Sequence, residues 1–395
     1  MLHTCKSKPR RIGIVYPEIN GWTGGSKFIR MLINSLGKAC EAADTELYVL
    51  SDRKELRHSG LPTVRVIPVA APCYFRGESS LRQMLSLPEK SALFDAARKH
   101  QISLVLPVRT APFRSSGLKT IGWIPDFQHV YLPELFSEGT RAYRDYTYRQ
   151  LADQCALVML SSRTALEDFA AFAPEHAHKG RVVSFPSLFA FEHLQDNVFE
   201  TQQKFRIPAK FALVANQFWR HKNHELVIEA VRQLRHGGIR VPVVITGVPV
   251  DSRDPNNETT SRILQAVASA GLLQQVVVLG MVSEPDLANL MRTAAILIQP
   301  SRFEGWSSVI QECKAIGRPL ICSDIPTHRE QAPDALGFFP SDRADKLADL
   351  LAANWPILEP GPNQMAENAA LAAEREFGRQ HGESLLTICQ EAVRT

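Results

Sequence analysis

Two glutamates in the C-terminal third of the sequence have the types and spacing that could bind a sugar nucleotide. Glu304 and Glu312 lie eight positions apart, and Gly305, Ser307 and Ser308 between them open a predicted helix. Glycine lets a ligand approach the backbone, and free N–H groups at a helix start favour an anion. Glu304 would precede the helix and Glu312 would lie on its second turn. This spacing favours recognition of one phosphate-bearing ligand over hydrolysis, with a solvated helix face as the alternative.

The elements around these glutamates predict how they are positioned. Residues 294–298 form a short apolar run that predicts a buried parallel strand, and the loop with Glu304 follows its carboxyl end. In doubly wound sheets, ligands bind at such strand ends. Gly317 and Pro319 predict the end of the helix, and residues 320–323 predict the next strand.

A lysine in the middle of the chain is a candidate for binding a diphosphate. Lys222 comes just after a predicted strand, at the start of an amphipathic helix over residues 224–234. An ammonium there would stabilise the charge that develops on a leaving diphosphate. The alternative is an exposed lysine, which would be mildly unfavourable at the positive end of a helix dipole.

The N-terminal half offers two weaker candidates. Asp126 and His129 lie three apart in a loop after the predicted strand that ends near Ile124, and an ordinary hydrogen-bonded pair is the alternative to a catalytic one. Gly24 and Gly25 follow the first predicted strand as a partial phosphate-loop pattern, for which a tight turn is the alternative.

Three separated blocks resemble the glycosyltransferase family 4 enzymes of the GT-B fold. The first block joins Glu304 and Glu312 to a Gly-x-Pro strand at residues 317–319 and a Ser-Asp-x-Pro turn at residues 323–326. Residues 215–224 are similar to the donor-phosphate segment of the bacterial surface-polysaccharide branch, with its Asn-Gln-Phe-Trp-x-His-Lys-Asn-His motif. Residues 123–134 resemble that branch's N-terminal cleft loop.

The resemblance implies a role for each donor-side candidate. It assigns Lys222 to the donor diphosphate, and it implies an arginine six residues earlier, where this sequence has Asn216. Arg220, or the amides of Asn216 and Gln217, are the alternatives for that missing contact. The same resemblance places Glu312 at the ribose hydroxyls.

It also implies which residues contact the rest of the donor and the acceptor. Glu304 would lie beside the donor sugar, and the main chain near Val282 would contact the base edge. His129, and less strongly Asp126, are implied to orient the acceptor or hold the transferred sugar. The remaining donor-side candidates line the loops of the expected cleft: Gly24, Gly25, Gly305, Trp306, Ser307 and Ser308.

Alternating apolar strands and helical patterns predict an α/β protein with two parallel sheets in tandem. The resemblance implies the GT-B arrangement, in which two Rossmann-like domains face each other across a cleft. We expect an acceptor-side domain over residues 1–205 and a nucleotide-sugar-binding domain over residues 206–375. A C-terminal helix over about 376–395 is expected to cross back onto the first domain. The predicted strands are residues 11–16, 46–50, 64–67, 103–106, 119–124, 157–160, 182–185, 211–215, 241–246, 276–279, 296–298 and 320–322.

Composition and charge limit the class of protein. With 45% apolar and 22% charged residues the chain is globular, and its length favours two domains. The seven cysteines are scattered and lack Cys-x-x-Cys spacing. This pattern predicts a protein located in the reducing cytoplasm, and it disfavours a zinc site. The sequence has no signal-peptide pattern and no apolar run of about 18 residues, so a soluble or peripheral protein is expected.

The two halves differ in charge, which suggests different partners. Residues 1–150 carry 22 Lys and Arg against 13 Asp and Glu, whereas residues 151–395 carry 23 against 28. The basic half favours an anionic acceptor such as a lipid pyrophosphate, or a peripheral position on the inner face of the membrane, with a solvated surface as the alternative. No nucleic-acid-binding signature occurs. Because no Asp-x-Asp occurs either, we expect neither a metal nor another cofactor.

These observations predict a metal-independent retaining glycosyltransferase. It would move a hexosyl unit from a nucleoside diphosphate sugar to a hydroxyl of a glycan or lipid-linked acceptor, in bacterial polysaccharide or lipopolysaccharide biosynthesis. The alternatives are a sugar-nucleotide epimerase or phosphorylase of the same fold, or a non-catalytic subunit that binds a sugar nucleotide. An epimerase would interconvert donor sugars without an acceptor, and a non-catalytic subunit would bind the donor without turnover.

Overall fold

The chain forms two compact units in this computed structural model. One unit comprises Met1–Pro186 with Glu376–Thr395, and the other comprises Ser187–Arg375. The structure describes residues 10–16, 23–43, 45–52, 64–69, 88–110, 117–187, 197–251 and 253–395.

The described part of the first unit contains a seven-stranded parallel sheet. Its strand order is β3-β2-β1-β4-β5-β6-β7, so the order reverses between β1 and β4. Strands β4 and β6 are buried along their whole length, as expected for the centre of a sheet covered on both faces. The strands are β1 (Arg10–Val15), β2 (Thr45–Ser51), β3 (Arg65–Pro68), β4 (Leu104–Val108), β5 (Lys119–Ile124), β6 (Leu157–Leu160) and β7 (Gly180–Val182).

Helices follow most of these strands, and serine caps begin two of them. Ser137 Oγ accepts a hydrogen bond from the Thr140 N–H, and Ser162 Oγ accepts one from the Ala165 N–H. The helices of this unit are α1 (Thr23–Ala42), α2 (Pro88–Lys99), α3 (Gln128–Tyr131), α4 (Glu138–Gln154) and α5 (Arg163–Phe172). Two 3-10 turns, Pro133–Leu135 and Pro174–Lys179, connect them.

The second unit contains a six-stranded parallel sheet in its described part. Its order is β10-β9-β8-β11-β12-β13, with the reversal between β8 and β11. Each predicted strand overlaps an observed one, but β13 was not predicted. The strands are β8 (Ala212–Ala215), β9 (Val243–Thr246), β10 (Val276–Gly280), β11 (Ile296–Gln299), β12 (Leu320–Ser323) and β13 (Gly337–Phe339).

Both faces of this second sheet are apolar. Successive side chains alternate between two buried clusters: Val243 and Ile245 lie in one, and Val244 lies in the other. A strand with apolar side chains on both faces must be covered on both, which is why helices flank it. The helices of this unit are α6 (Val198–Phe205), α7 (His224–His236), α8 (Glu258–Ser269), α9 (Glu284–Thr293), α10 (Ser308–Ala315), α11 (Pro326–Gln331) and α12 (Ala344–Asn354).

Helix α6 packs within the second unit, ahead of the boundary expected at residues 205–206. Thr201 Oγ1 donates a hydrogen bond to Asp286 Oδ1, and it accepts one from Asn289 Nδ2 at 3.1 Å. Lys204 Nζ also lies 2.6 Å from Asp286 Oδ2. These contacts tie α6 to α9.

The last helix, α13 (Gln364–Arg394), passes from the second unit into the first. Within the second unit, its Glu367 forms a fully buried ion pair with Arg292, at 2.8 Å. Within the first unit, its Glu391 pairs with Arg181. None of the described helices is both long and apolar enough to cross a membrane.

Candidate functional site

Polar side chains of the second unit meet at the carboxyl ends of β8 and β11, where the strand order reverses. Asn216 follows β8, and Gln299 is the last residue of β11. Both are buried, and Asn216 Nδ2 donates to Gln299 Oε1 at 2.7 Å. The reversal point is where open α/β sheets bind ligands, because the connections on either side lead away from each other.

Lys222 and Glu304 form an ion pair at this edge of the sheet. Lys222 ends the short 3-10 turn Arg220–Lys222, and its Nζ lies 2.6 Å from Glu304 Oε1. The exposed fractions of the two side chains are only 13% and 9%. The sequence predicted both residues as donor contacts but did not predict that they pair with each other.

An asparagine fixes the turn that carries Lys222. Asn223 adopts a left-handed conformation, with φ 60°, between the 3-10 turn and α7. Its Nδ2 donates to Pro300 O at 3.1 Å and to Ser341 O at 2.8 Å. One buried amide therefore joins the loops that follow β8, β11 and β13.

Glu304 is held at three points. Besides the ion pair, its Oε1 accepts a hydrogen bond from Gln299 Nε2 at 3.0 Å. Its main-chain carbonyl accepts one from Thr327 Oγ1 at 2.8 Å, and Thr327 is buried. The loop that carries Glu304 is therefore anchored to both β11 and α11.

Ser307 begins α10, which carries Glu312. Its Oγ accepts from the Ile310 N–H as an N-cap and from Gln299 Nε2 at 3.0 Å. Its own N–H donates to Gln331 Oε1 at 3.0 Å, and Gln331 Nε2 donates back to Ser307 O. In this conformation the Ser307 N–H is used by the protein itself. Glu312 is buried, with 3% of its surface exposed.

Three buried histidines surround this network. Burial lowers the pKa of His224 and of His328 to about 4 each, and it lowers the pKa of His221 well below its usual value. His328 Nδ1 lies 3.0 Å from the Ser323 carbonyl, so Nδ1 carries the proton. Its buried Nε2 has no hydrogen-bond partner among the described residues and keeps its lone pair.

Gly247 brings the end of β9 against the loop after β8. It has φ +154°, and a Cβ at this position would lie 2.0 Å from Asn216 O. Its N–H donates to Gly280 O at 2.9 Å, and Gly280 is itself at φ +67°. Val282, two residues after Gly280, is half-buried and directly precedes Ser283, the N-cap of α9. Only glycine allows this close approach of three strand ends.

The other predicted donor-side residues differ in exposure. Arg220 is exposed and lies outside the hydrogen-bonded network described above. Gln217 Nε2 and Asn216 Oδ1 are buried atoms without a hydrogen-bond partner in the described part of the chain. Residues 305, 306 and 308 are half-buried at the start of α10: Gly305, Trp306 and Ser308.

Asp126 and His129 of the first unit do not pair with each other. Arg144 Nη2 donates to Asp126 Oδ1 at 2.7 Å, and Asp145 Oδ1 lies 2.9 Å from His129 Nε2. Both partners belong to α4. Because Asp145 is an acceptor, Nε2 carries the histidine proton, and the buried Nδ1 has no hydrogen-bond partner among the described residues.

Burial and charge set the protonation of this pair. Burial lowers the pKa of His129, with a further contribution from Arg144, which together outweigh the opposing Asp145. Burial alone would raise the pKa of Asp126, but Arg144 and the Gln128 N–H outweigh it and lower the pKa. His129 is therefore neutral at pH 7 and offers a lone pair at Nδ1, while Asp126 is ionised.

The glycine prediction near the N-terminus is corrected in one respect. Gly24 and Gly25, predicted as a partial phosphate-loop pattern or a tight turn, lie in the first turn of α1, which begins at Thr23. Helix-starting signals were missed because glycine is a poor helix former. Residues 17–22, which precede them, lie outside the described residues.

Several residues of the site were not predicted from the sequence. They are Asn223, Gln299, Thr327, His328 and Gln331. Gln299 is the last residue of β11, and the others lie after the 3-10 turn that follows β8 or in α11 after β12, so none has a distinctive local signal.

Comparison with known proteins supports the predicted superfamily. Residues 197–370 match the family model for glycosyl transferases group 1, which covers nearly all of the second unit. EpsF of Bacillus subtilis (strain 168), whose name proposes a glycosyltransferase, is 30% identical over 116 residues, which is 29% of this chain and 28% of EpsF. An alpha-D-kanosaminyltransferase of Streptomyces kanamyceticus is 26% identical over 175 residues, 43% of this chain and 42% of that protein. The matched stretches span less than half the length of either relative.

Solved structures match over nearly the whole chain. A glycosyltransferase from Rickettsia africae ESF-5 has a TM-score of 0.67 at 16% identity, covering 98% of this chain and 100% of that one. HepE of Anabaena in complex with UDP-glucose has a TM-score of 0.63 at 14% identity, covering 97% and 98%. Together with the two parallel sheets, these matches confirm the GT-B fold. Assignment to family 4 and to its surface-polysaccharide branch stays a prediction.

Proposed function

We propose that this protein is a retaining glycosyltransferase that transfers a hexosyl unit from a nucleoside diphosphate sugar to an acceptor hydroxyl. The observation that carries the proposal is the Lys222–Glu304 pair, which lies at the reversal point of the second sheet, inside the segment that matches group 1 glycosyl transferases. A cation and a carboxylate at this edge suit the two chemically different ends of a sugar diphosphate.

In the proposed reaction, the bond from the anomeric carbon to the diphosphate oxygen breaks and a bond to the acceptor oxygen forms. The acceptor proton passes to the leaving diphosphate, and Lys222 stabilises the charge that develops there. No side chain stands out as a covalent nucleophile, so a front-face displacement with retention is proposed. Product stereochemistry by NMR tests this step, and an inverted anomer would exclude it.

The remaining donor contacts are assigned by position. Glu312 is proposed for the ribose hydroxyls, the main chain at Val282 for the base, and Glu304 for the donor sugar. Their support is the anchoring of the Glu304 loop by Gln299 and Thr327 and the burial of Glu312. The amide N–H groups of Gln217 and Asn216 are proposed diphosphate contacts, and Gln217 Nε2 is buried without a hydrogen-bond partner among the described residues. Exposed Arg220 is the alternative.

His129 is proposed to orient the acceptor or hold the transferred sugar. Its neutral ring, fixed by Asp145 and with an unpaired Nδ1, can accept a hydrogen bond from a hydroxyl. Asp126 is bound to Arg144, so we assign it to holding the loop that carries His129. The acceptor is proposed to be a bacterial glycan or lipid pyrophosphate, supported by the basic charge of residues 1–150.

Cellular placement and cofactor use are further parts of the proposal. We propose a cytoplasmic protein with peripheral contact to anionic lipid, since residues 1–150 are basic. Among the described residues, no group of three His, Cys, Asp or Glu is placed to hold a metal ion. Transfer is expected to persist in excess EDTA, and restoration of a lost rate by Mg²⁺ or Mn²⁺ would contradict metal independence.

A donor screen tests the function. Each nucleoside diphosphate sugar is added to the purified chain, and thermal stabilisation and slow donor hydrolysis are measured, with UDP-glucose first because HepE binds it. We expect one donor to raise the melting temperature and to be hydrolysed, and Lys222→Ala to abolish both effects. Interconversion of donor sugars without an acceptor would indicate an epimerase instead, and stabilisation without hydrolysis or transfer would indicate a non-catalytic subunit.

A further inference from the structure

The cation proposed to bind the donor diphosphate is already neutralised in this structure. Lys222 Nζ lies 2.6 Å from Glu304 Oε1, and neither side chain is more than 13% exposed. Separating a charge pair so largely shielded from water costs more than separating one on the surface, because the charge left behind is poorly solvated. A diphosphate that arrives must therefore draw the ammonium away from a carboxylate that already holds it.

The two members of this pair differ in how firmly they are held. Glu304 also accepts from Gln299 Nε2 at 3.0 Å, and its carbonyl is fixed by Thr327. Lys222 reaches the carboxylate on a flexible four-carbon stem, which can change direction without moving the backbone. Of the two, Lys222 is the side chain able to change partner.

Gln299 is fixed by its own hydrogen bonds. Its Oε1 accepts from Asn216 Nδ2 at 2.7 Å, which determines which end of the amide faces Glu304. Its Nε2, which carries two hydrogens, lies 3.0 Å from both Glu304 Oε1 and Ser307 Oγ and 3.2 Å from Ser301 Oγ. The amide N–H towards the carboxylate is present whether or not Lys222 remains in place.

We propose that Glu304 and the donor diphosphate compete for Lys222, and that Gln299 is the positioning residue that holds the Glu304 carboxylate after Lys222 has moved. This inference rests on the proposed function, because it assumes that a nucleoside diphosphate binds here. Glu304 thus lowers affinity for the nucleotide, and it remains placed for the sugar.

The proposal predicts opposite effects for two neighbouring substitutions. Glu304→Gln removes the competing charge, so nucleotide affinity should rise by about tenfold. Gln299→Met removes the N–H that would hold the Glu304 carboxylate after Lys222 has left. The carboxylate then holds the lysine more strongly, so nucleotide affinity should fall by about fivefold. The loss with Gln299→Met acts through the Glu304 carboxylate, so it should vanish in a Glu304→Gln background, whereas the loss from a merely structural role would persist there.

Isothermal titration of the full chain with UDP and with GDP measures these affinities. The matched control is Gln275→Met, which removes another buried glutamine of the same unit, whose Nε2 donates to Val241 O at 2.9 Å. The control should leave nucleotide affinity unchanged. If Glu304→Gln binds no tighter than wild type, or if Gln299→Met binds as well as wild type, the proposal is wrong.

A double-mutant cycle separates competition from simple repulsion of the diphosphate by Glu304. With competition, the gain from Glu304→Gln disappears when Lys222 is replaced by methionine. With repulsion alone, the same gain persists without the lysine, and this result overturns the inference. Circular dichroism melts establish whether each variant is folded. If Glu304→Gln does not fold, the nucleotide affinity of Gln299→Met, compared with that of the Gln275→Met control, decides whether the proposal holds.

The outcomes also distinguish this inference from the proposed function. If the wild-type chain transfers sugar but Glu304→Gln binds nucleotide no more tightly, only the inference fails. If the wild-type chain binds no nucleoside diphosphate and turns over no donor, the proposed function fails, and the inference fails with it.

Discussion

The candidate site residues of the two units are held in different ways. In the first unit, Asp126 and His129 are bound by Arg144 and Asp145, which are 18 and 16 residues further on and share one helix. In the second unit, the Lys222–Glu304 and Asn216–Gln299 contacts join residues 82 and 83 positions apart. The first arrangement needs a loop and a helix, whereas the second exists only when β8 and β11 are neighbours in a completed sheet.

The difference also appears in the electrostatics. His129 has a half-exposed carboxylate partner in Asp145, which opposes the effect of burial on its pKa. His328 is fully buried and lies close to both Lys222 and Glu304. His129 therefore has a partner that reaches solvent, whereas His328 lies among buried groups of its own unit.

The largest expected effect is the loss of donor turnover when a cation of the second unit, rather than one of the first, is removed. Lys222→Met should lower donor turnover by about a thousandfold, since the charge on the leaving group loses its stabilisation. Arg144→Met, the matched loss of a cation in the first unit, should change nucleotide affinity less than about twofold. Turnover and nucleotide titrations measure both. Equal loss of nucleotide binding in the two variants would contradict the division of roles.

Replacing one glycine in each unit by alanine compares how closely the backbone is packed around the two positions. Gly247→Ala places a Cβ 2.0 Å from Asn216 O and should cost about 3 kcal/mol or more of unfolding free energy. Gly117→Ala meets no atom of the described residues within 4 Å, and its φ of +66° opposes it by about 1 kcal/mol. Urea unfolding measures both. A similar, small loss in both variants would mean that the strand ends around Asn216 are not closely packed.

Two buried histidines of the second unit should each lower the stability of the chain in acid. His224 and His328 have pKa values of about 4 in the folded chain, against about 6.5 when unfolded. The unfolded chain therefore binds more protons between these values, so stability is lost as pH falls from about 6.5 to 4, by about 3 kcal/mol per histidine.

Replacing single histidines tests this expectation. His328→Gln should flatten the dependence of unfolding free energy on pH in that window, and His129→Gln should flatten it less, because Asp145 opposes the lowering of the His129 pKa. Urea unfolding at pH 7, 6 and 5 gives the slopes. A larger change in the His129 variant would reverse the comparison.

The smallest expected effect concerns the acceptor. His129→Gln should lower the transfer rate by about tenfold and leave nucleotide affinity unchanged, because the residue belongs to the other unit. His176→Gln is the matched control, since His176 also lies near a carboxylate of the first unit, Glu175, at 3.9 Å. Steady-state kinetics with donor and acceptor varied separately check this. An unchanged transfer rate in the His129 variant would show that His129 does not contact the acceptor or the transferred sugar.

Much of the fold was predictable because strand signals are local. Apolar runs such as residues 157–160 and 119–124 coincide with β6 and β5. The cap of α9 is local too, because Ser283 Oγ accepts a hydrogen bond from the Asp286 N–H three residues on. Strand β13, only three residues long, was missed because so short a run has no periodicity to detect.

The site was predictable only in part. Lys222 and Glu304 stood out because their charges lie beside predicted strand ends, where a ligand is expected. Gln299 did not stand out, because a glutamine at the end of an apolar run has no distinctive local pattern. Its importance comes from hydrogen bonds to residues that are near it only in the folded chain, such as Asn216.

The amino-acid sequence by itself determined the succession of strands and helices, the two parallel sheets and the residue types available at the strand ends. The alternation of apolar side chains and the capping residues act over a few positions, so they can be read without knowing the fold. Only the tertiary structure decided that Lys222 pairs with Glu304, that Gln299 holds both Glu304 and the start of α10, and that Asp126 and His129 have separate partners. Those contacts depend on the order of the strands and on the low dielectric constant that burial creates around them. Neither is a local property of the chain.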